Sequence, residues 1–489
     1  MTPGKSEAPA GPDAARLHGN GIRGARRGGR PERLIRTCPG AGTAFGIVGP
    51  SENEPMGQSR NRRFPCQTIF SMLHGMRPQI FLVLVLWSVL SPLNAADWPR
   101  WRGPLDTSSA ESVQLPSKLD ESTLAWKVAL PGKGCSTPVV AGARIYLTAP
   151  IDGRDALIAY DLEGKLVWQA VFGEEEAGKH RNGSGSNPSP VTDGERVYVA
   201  FKSGTLAAVN VDGTVAWKTQ LVERFGPVNL FWDFGSSPVL TSRNLVMARM
   251  HNGDSWLAAF DKKTGELRWK TARNYEVPRE VDNGYTTPVV FSHAGQEALL
   301  SWGAEHLTVH GAADGKLLWS CGGFNPAATP LWPAVASPVL LGDIAVVCFG
   351  RADKGAPRLH GVRLGVTGDA HLWKREDVSS FVPSPAAAGG RVYVLGDRGL
   401  LACVDPATGA PYWTAELPKA SSNYYASPLL AGGLIYAARE DGVICVGRVG
   451  AGFELVSENK IDDRIIAGLV PAGNRVLVRG MNSLACFGK

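Results

Sequence analysis

Ala259-Phe260-Asp261-Lys262-Lys263-Thr264-Gly265-Glu266-Leu267-Arg268-Trp269 is one copy of a unit that recurs along the chain. A small residue leads into an Asp-type turn, a Gly, and a strand that carries Trp. Other copies run Ala159-Tyr160-Asp161 to Gly164 and Trp168, and Val404-Asp405-Pro406-Ala407-Thr408-Gly409 to Trp413. Further copies end at Trp217, Trp269, Trp319 and Trp373. The Asp/Asn–Gly spacing suits a tight turn between two strands.

The preceding half of the unit is Ser/Thr-Pro, three residues, Gly, then an alternating strand. It appears at Thr137-Pro138, Ser189-Pro190, Ser237-Pro238, Thr287-Pro288, Ser337-Pro338, Ser384-Pro385 and Ser427-Pro428. The prolines step by 52, 48, 50, 50, 47 and 43 residues. A worn eighth copy starts at Gly468-Leu469. Each period therefore holds about four short strands, the size of one propeller blade. Sustained helical periodicity is absent.

The eighth copy stops before any Trp strand, while Leu124-Ala125-Trp126-Lys127 stands alone ahead of the first copy. Placing Trp126 on the outer strand of the eighth blade closes the ring and removes a free sheet edge. The fold expected is all-β: an eight-bladed β-propeller of four-stranded antiparallel blades, closed by an N-terminal outer strand. Seven blades is the alternative if the worn copy is not a blade. In blade seven, Phe453 and Leu455 stand where the others have Trp.

Of 51 Lys+Arg and 45 Asp+Glu, residues 1–75 hold 11 and 5, so residues 76–489 hold 40 of each. The body is neutral, which argues against a nucleic-acid partner. Residues 1–75 read as a disordered or mis-called extension. Met76-Arg77, the apolar run Ile80–Leu90 and Ala95-Ala96 make residues 76–96 a secretory signal. Translation is expected to begin at Met72 or Met76 rather than Met1 or Met56. The mature propeller, 97–489, is expected in the periplasm or outside the cell, with no transmembrane segment.

Repeated Trp residues, one per blade, are most economically packing devices between neighbouring sheets. Asp161, Asp261 and Asp405 lie at turn positions of different blades, so Asx turns explain them better than metal binding. Six cysteines follow the signal and form no C-x-x-C, C-x-x-C-H or adjacent pair. Cys403, Cys445 and Cys486 fill the small-residue slot of their blades, as buried hydrophobes. His306 and His310, four apart on a strand, stand ~13 Å apart and cannot share an ion.

Function is expected in the loops that run from one blade's outer strand to the next blade's inner strand. They open on one face and are rich in aromatic, amide and charged residues. The candidate ligand-binding residues are His180, Arg181, Asn182, Asn187, Trp232, Asp233, Glu276, Arg279, Asn283, Tyr285, Trp332, Asn423, Tyr424 and Tyr425. This mixture around a funnel suits a small polar ligand or a peptide.

The Asp, Thr-Gly or Gly, then Trp pattern resembles the pyrroloquinoline-quinone (PQQ)-like propeller repeat. Asp97-Trp98-Pro99-Arg100-Trp101-Arg102-Gly103-Pro104 is similar to the start of secreted bacterial members. The resemblance implies two activities. One is that of the outer-membrane assembly propeller, which binds envelope or extracellular protein partners without a cofactor. The other is a PQQ- and calcium-dependent alcohol or sugar dehydrogenase, in which Asp233 or Glu276 could supply the carboxylate. The first is the leading expectation, with no cofactor, no metal and no catalytic residue assigned. Glycan binding by stacking on Trp232, Tyr424 or Tyr425 is a third reading.

Overall fold

The computed structural model describes residues 97–351 and 354–488; the expected extension, 1–75, and the expected signal, 76–96, lie outside them. Eight antiparallel sheets form the eight blades, which sets the seven-blade alternative aside. Blade one runs outward through Val139–Ala141, Arg144–Thr148, Arg154–Asp161 and Leu166–Glu174, and the later blades repeat this order. The worn copy is blade eight, built from Val470–Ala472, Arg475–Arg479 and Ser483–Phe487. Leu124–Ala129 completes it, with Trp126 opposite Cys486. Among the described residues one five-residue helix, Leu221–Phe225, interrupts the pattern.

The Ser/Thr that precedes each Pro builds a belt around the channel. The backbone N–H of Thr137 donates to Ser189 Oγ at 2.9 Å. The same link runs from Ser189 to Ser237, Ser237 to Thr287, Thr287 to Ser337, Ser337 to Ser384 and Ser384 to Ser427. Gly468 N–H closes onto Thr137 Oγ1 at 3.1 Å. Proline at the next position has no N–H, so the Ser/Thr supplies the donor there. Only Ser427, facing Gly468, has no hydroxyl to reach.

The outer strands hold together by a second repeated device. Each indole N–H donates to a turn carbonyl of the next blade: Trp126 to Leu162, Trp168 to Val211, Trp217 to Lys262 and Trp269 to Ala312. Trp319, Trp373 and Trp413 continue it to Val366, Pro406 and Gly450. The turn glycine lies flat on that indole. A Cβ on Gly265, whose φ is +75°, would stand 2.6 Å from the Trp217 ring. Asp161, Asp261 and Asp405 accept from their own turn N–H groups, as Asx turns do.

Blade seven corrects the expectation drawn from Phe453 and Leu455. Its outer hairpin pairs on to Val449 opposite Phe453 before it turns, so past the bulge that every blade carries Leu455 pairs with Gly447, and Ser457 pairs with Val446, which is the Trp position in the other blades. The reason is topological. The last two strands of blade eight come from opposite parts of the chain, so no turn carbonyl exists there for an indole to reach. Both repeated devices thus lapse at the seam between blades seven and eight.

The segment before Leu124 stitches that seam. Ser109–Ala110 adds a fifth, parallel strand to blade seven. Ser457 Oγ donates to Ser117 O, Tyr436 Oη to Pro116 O, and Leu119 N–H to Asn459 Oδ1 at 2.8 Å. Leu115 and Leu119 bury their side chains among residues of blades seven and eight.

A Cβ on Gly468 would meet Thr137 Oγ1 at 3.6 Å and Ser427 O at 3.8 Å, ordinary contact distances. Gly468→Ser is therefore expected to add the missing link and to stabilise the protein by about 1 kcal/mol, the usual worth of a neutral hydrogen bond. Ser337→Ala should destabilise it by a similar amount; urea unfolding of the full chain checks both.

Candidate functional site

The blade-to-blade loops surround a central cavity of about 400 Å³, within the size range of small-ligand sites. Its floor is Trp101, on a segment that crosses beneath the channel. Trp98 pairs its backbone with Val140 of blade one. Arg102 then donates to Pro338 O at 2.7 Å and Pro385 O at 2.5 Å, at the inner strands of blades five and six. Burial lowers the Arg102 pKa to about 10, so the guanidinium stays charged at neutral pH while two carbonyls absorb its N–H groups. The channel is thus a cup rather than a pore.

Asp233 organises one wall. It accepts the N–H of Lys179 at 2.8 Å and of His180 at 3.1 Å, and pairs with buried Lys202 at 2.9 Å. Burial alone would raise its pKa. The Lys179 and His180 N–H groups and Lys202 outweigh that and hold the carboxyl below its ordinary value. His180 then meets Trp232 edge to face at 5.2 Å, and Tyr285 Oη accepts the Trp232 N–H at 2.9 Å. From this loop Asn182 reaches blades seven and eight: its Nδ2 donates to Glu440 at 2.7 Å and its Oδ1 accepts from Arg464 at 2.6 Å.

On the opposite wall, Asp397 accepts the N–H groups of Phe381 and Val382 at 2.8 and 3.1 Å. Arg351 stacks on Phe381 at 4.6 Å, and Arg398 lies nearby on the lining. Asn423 donates to Tyr425 Oη at 3.3 Å. The hydroxyl belt lies lower in the cup, with Thr137, Ser189, Ser237, Ser384 and Ser427 on its lining.

Eight residues named from the sequence line this cavity: His180, Asn182, Asn187, Trp232, Asp233, Tyr285, Asn423 and Tyr425. Six do not. Arg181 pairs with Glu440 at 3.2 Å and lines a separate polar notch with Asp441, Lys460 and Arg464. Glu276 and Arg279 are exposed outside the lining. Asn283 and Trp332 are buried, Trp332 within the core that includes Trp302 and Phe349. Tyr424 is buried too, its hydroxyl 3.6 Å from Cys445 Sγ, so it offers no stacking face. The lining residues missed include Trp101, Cys135, Arg351, Phe381, Asp397 and Arg398.

With the geometry in place, comparison with known proteins supplies the family. The model described as outer membrane protein assembly factor BamB matches residues 117–277 and 360–449. The chain belongs to the PQQ-like repeat β-propeller family. No curated protein matches it. The crystal structure of BamB from Moraxella catarrhalis is similar at TM-score 0.54 and 14% identity, over 75% of this chain and 97% of that one. A quinohemoprotein alcohol dehydrogenase from Comamonas testosteroni is similar at 0.60 and 13%, over 81% of each chain. A europium-containing methanol dehydrogenase is similar at 0.60 and 12%, over 80% of this chain and 90% of that one. At these identities the likeness is one of fold.

A calcium-dependent quinone site in this cavity would have to draw its carboxylates from Asp233 and Asp397. Ca²⁺ takes six to eight oxygen ligands, carboxylates prominent among them. The two cavity carboxylates lie on different blades and already accept backbone N–H groups, Asp233 holding Lys202 as well. Among the described residues no three His, Cys, Asp or Glu side chains come together as a metal-ligand set. Cys135 lines the cavity without a second cysteine, and burial raises its pKa to about 11.

Removing Asp233 would leave buried Lys202 without its main counter-charge, and breaking such pairs costs about 3–5 kcal/mol. Asp233→Ala is expected to lower stability on that scale, while exposed Glu276→Ala should change it by less than about 0.5 kcal/mol. Chemical denaturation of the two variants distinguishes a structural carboxylate from a spare one.

Proposed function

We propose that this chain is a non-catalytic binding propeller of the periplasm or the extracellular space. Its funnel face takes a protein partner of the envelope, or a small polar ligand in the cup. The observation that carries this reading is the use already made of the cavity carboxylates. Asp233 and Asp397 position loops, which leaves a cavity bounded by Trp101, Trp232, Tyr285, Phe381 and Tyr425, with amides and hydroxyls between them. Such a lining suits recognition by shape and hydrogen bonding.

Phe231 and Trp232 stand at the rim with 56% and 42% of their surface exposed. They pack edge to face at 4.8 Å, and Tyr285 and His180 fix Trp232 in turn. Rigid aromatic groups presented this way suit a contact with a partner chain. The family description, an outer-membrane assembly factor, supports the same reading. The quinohemoprotein and methanol dehydrogenase neighbours share the fold of an oxidoreductase, but that reading needs carboxylates which here already hold backbone N–H groups. Glycan stacking would fall to Trp232 and Tyr425.

A photo-crosslinking residue placed at Phe231 in the full chain, produced in its own cells, tests the proposal. The same group at Leu105, 76% exposed on the crossing segment beneath the channel, is the control. One discrete adduct from position 231 that is absent from position 105, and weakened by Trp232→Ala, is expected. Identical adducts from both positions would contradict a partner-binding funnel.

A further inference from the structure

Blade three holds an arginine whose chemistry is unfinished. Arg249 is 2% exposed. Its Nε and Nη2, which form one edge of the guanidinium, are both shut away from solvent and meet no acceptor. The group lies over Phe234 at 5.5 Å and Trp256 at 5.7 Å. Burial lowers its pKa to about 10, which leaves it charged at neutral pH. A buried cation with two unsatisfied donors on one edge is costly.

The repeat provides an internal comparison. Val239 pairs with Val246, and Arg249 stands three residues beyond it; Leu429 pairs with Tyr436, and Arg439 stands three beyond that. The other blades place Ala149, Phe201, Gly303, Phe349, Gly396 and Gly480 here. Arg439 lies over Tyr424, three residues before Ser427, as Arg249 lies over Phe234, three before Ser237. In blade seven the same guanidinium edge is satisfied by a carboxylate two residues on: Nε meets Asp441 Oδ1 at 2.9 Å and Nη2 meets Oδ2 at 3.1 Å. In blade three the residue two on is His251, whose ring nitrogens serve Asn229 N–H and Asp254 O.

We infer that the Nε/Nη2 edge of Arg249 is a binding site for the carboxylate of a small ligand, which takes the place that Asp441 holds in blade seven. Bidentate recognition of this kind is what a planar guanidinium favours. The aromatic faces of Phe234 and Trp256 restrict the site to a slim molecule. Arg249 does not line the central cavity, so the site is separate from the one proposed above. The protein's own competitor is Glu176, the carboxylate whose charge acts on Arg249. Glu176 pairs with Lys202 at 3.3 Å and is largely exposed, while Lys202 keeps Asp233 if Glu176 turns away.

The test is a thermal-shift titration of the full chain with sodium acetate and sodium formate, against sodium chloride at equal ionic strength. A ligand that binds only the folded state raises the melting temperature saturably. Acetate or formate should do so and chloride should not. Glu176→Gln should keep the response, and Arg249→Lys, which keeps the charge and loses the planar edge, should weaken it about tenfold or more. If Arg249→Lys does not fold, the wild-type Arg249 Nε–H resonance reads the same event and should move with acetate alone. Three results would overturn the inference: no carboxylate response in the wild type, as when water satisfies the donors; an equal response to chloride; or a response that appears only in Glu176→Gln, which would show that Glu176 fills the site itself.

Discussion

A backbone N–H in one blade donating to a Ser or Thr hydroxyl in the next is the contact on which the ring depends. It repeats through seven of the eight junctions at nearly constant length, from 2.9 to 3.1 Å. The belt fixes the inner strands around one axis, and the indole-to-turn bonds fix the outer strands at the same spacing. Neighbouring sheets are thereby held at two radii, and the apolar clusters between them can pack without slippage. The loops above the belt inherit its geometry, so the cavity is as well defined as the ring.

The junction between blades seven and eight shows what ring closure demands. The closing strand comes from the far part of the chain, no turn joins it to its neighbour, and the indole device has no acceptor there. A Ser occupies the Trp position, a Gly occupies the belt position, and the segment 109–119 supplies the missing contacts. The same crossing segment carries Arg102 and Trp101 under the channel. One stretch of chain therefore both seals the ring and floors the site, so the cup's depth is tied to how the propeller closes.

The blade count, the closing strand at Trp126, the Asx turns and the small-residue slot of Cys403 and Cys486 were legible because each is a local pattern repeated at a fixed period; in blade seven that slot falls to Val446, one residue after the buried Cys445. The belt was visible only as Ser/Thr-Pro punctuation, since its bonds join residues 43 to 52 apart, and 331 apart where the ring closes. Phe453 and Leu455 misled because the outer hairpin of blade seven runs on to Val449 and Phe453 before it turns, which spacing alone does not reveal. The same limit governs the site. Loop composition pointed to His180, Asn182, Trp232, Asp233 and Tyr285, but the floor at Trp101 depends on a contact across the ring. Tyr424 and Trp332 lie in the right loops yet turn inward, because each aromatic there has an apolar cluster to join. The unsatisfied edge of Arg249 could be recognised only beside Arg439 in the folded blades.

Structures of this fold include an outer membrane assembly factor and quinohemoprotein and methanol dehydrogenases, and the distinction rests on the side chains around the channel. Here the cavity carboxylates hold loops in place. A thermal-shift titration of the full chain with PQQ and Ca²⁺, separately and together, tests it most directly, since a ligand selective for the folded state must raise the melting temperature. The account predicts no saturable shift under any of the three conditions. A saturable shift that requires both PQQ and Ca²⁺ would contradict it.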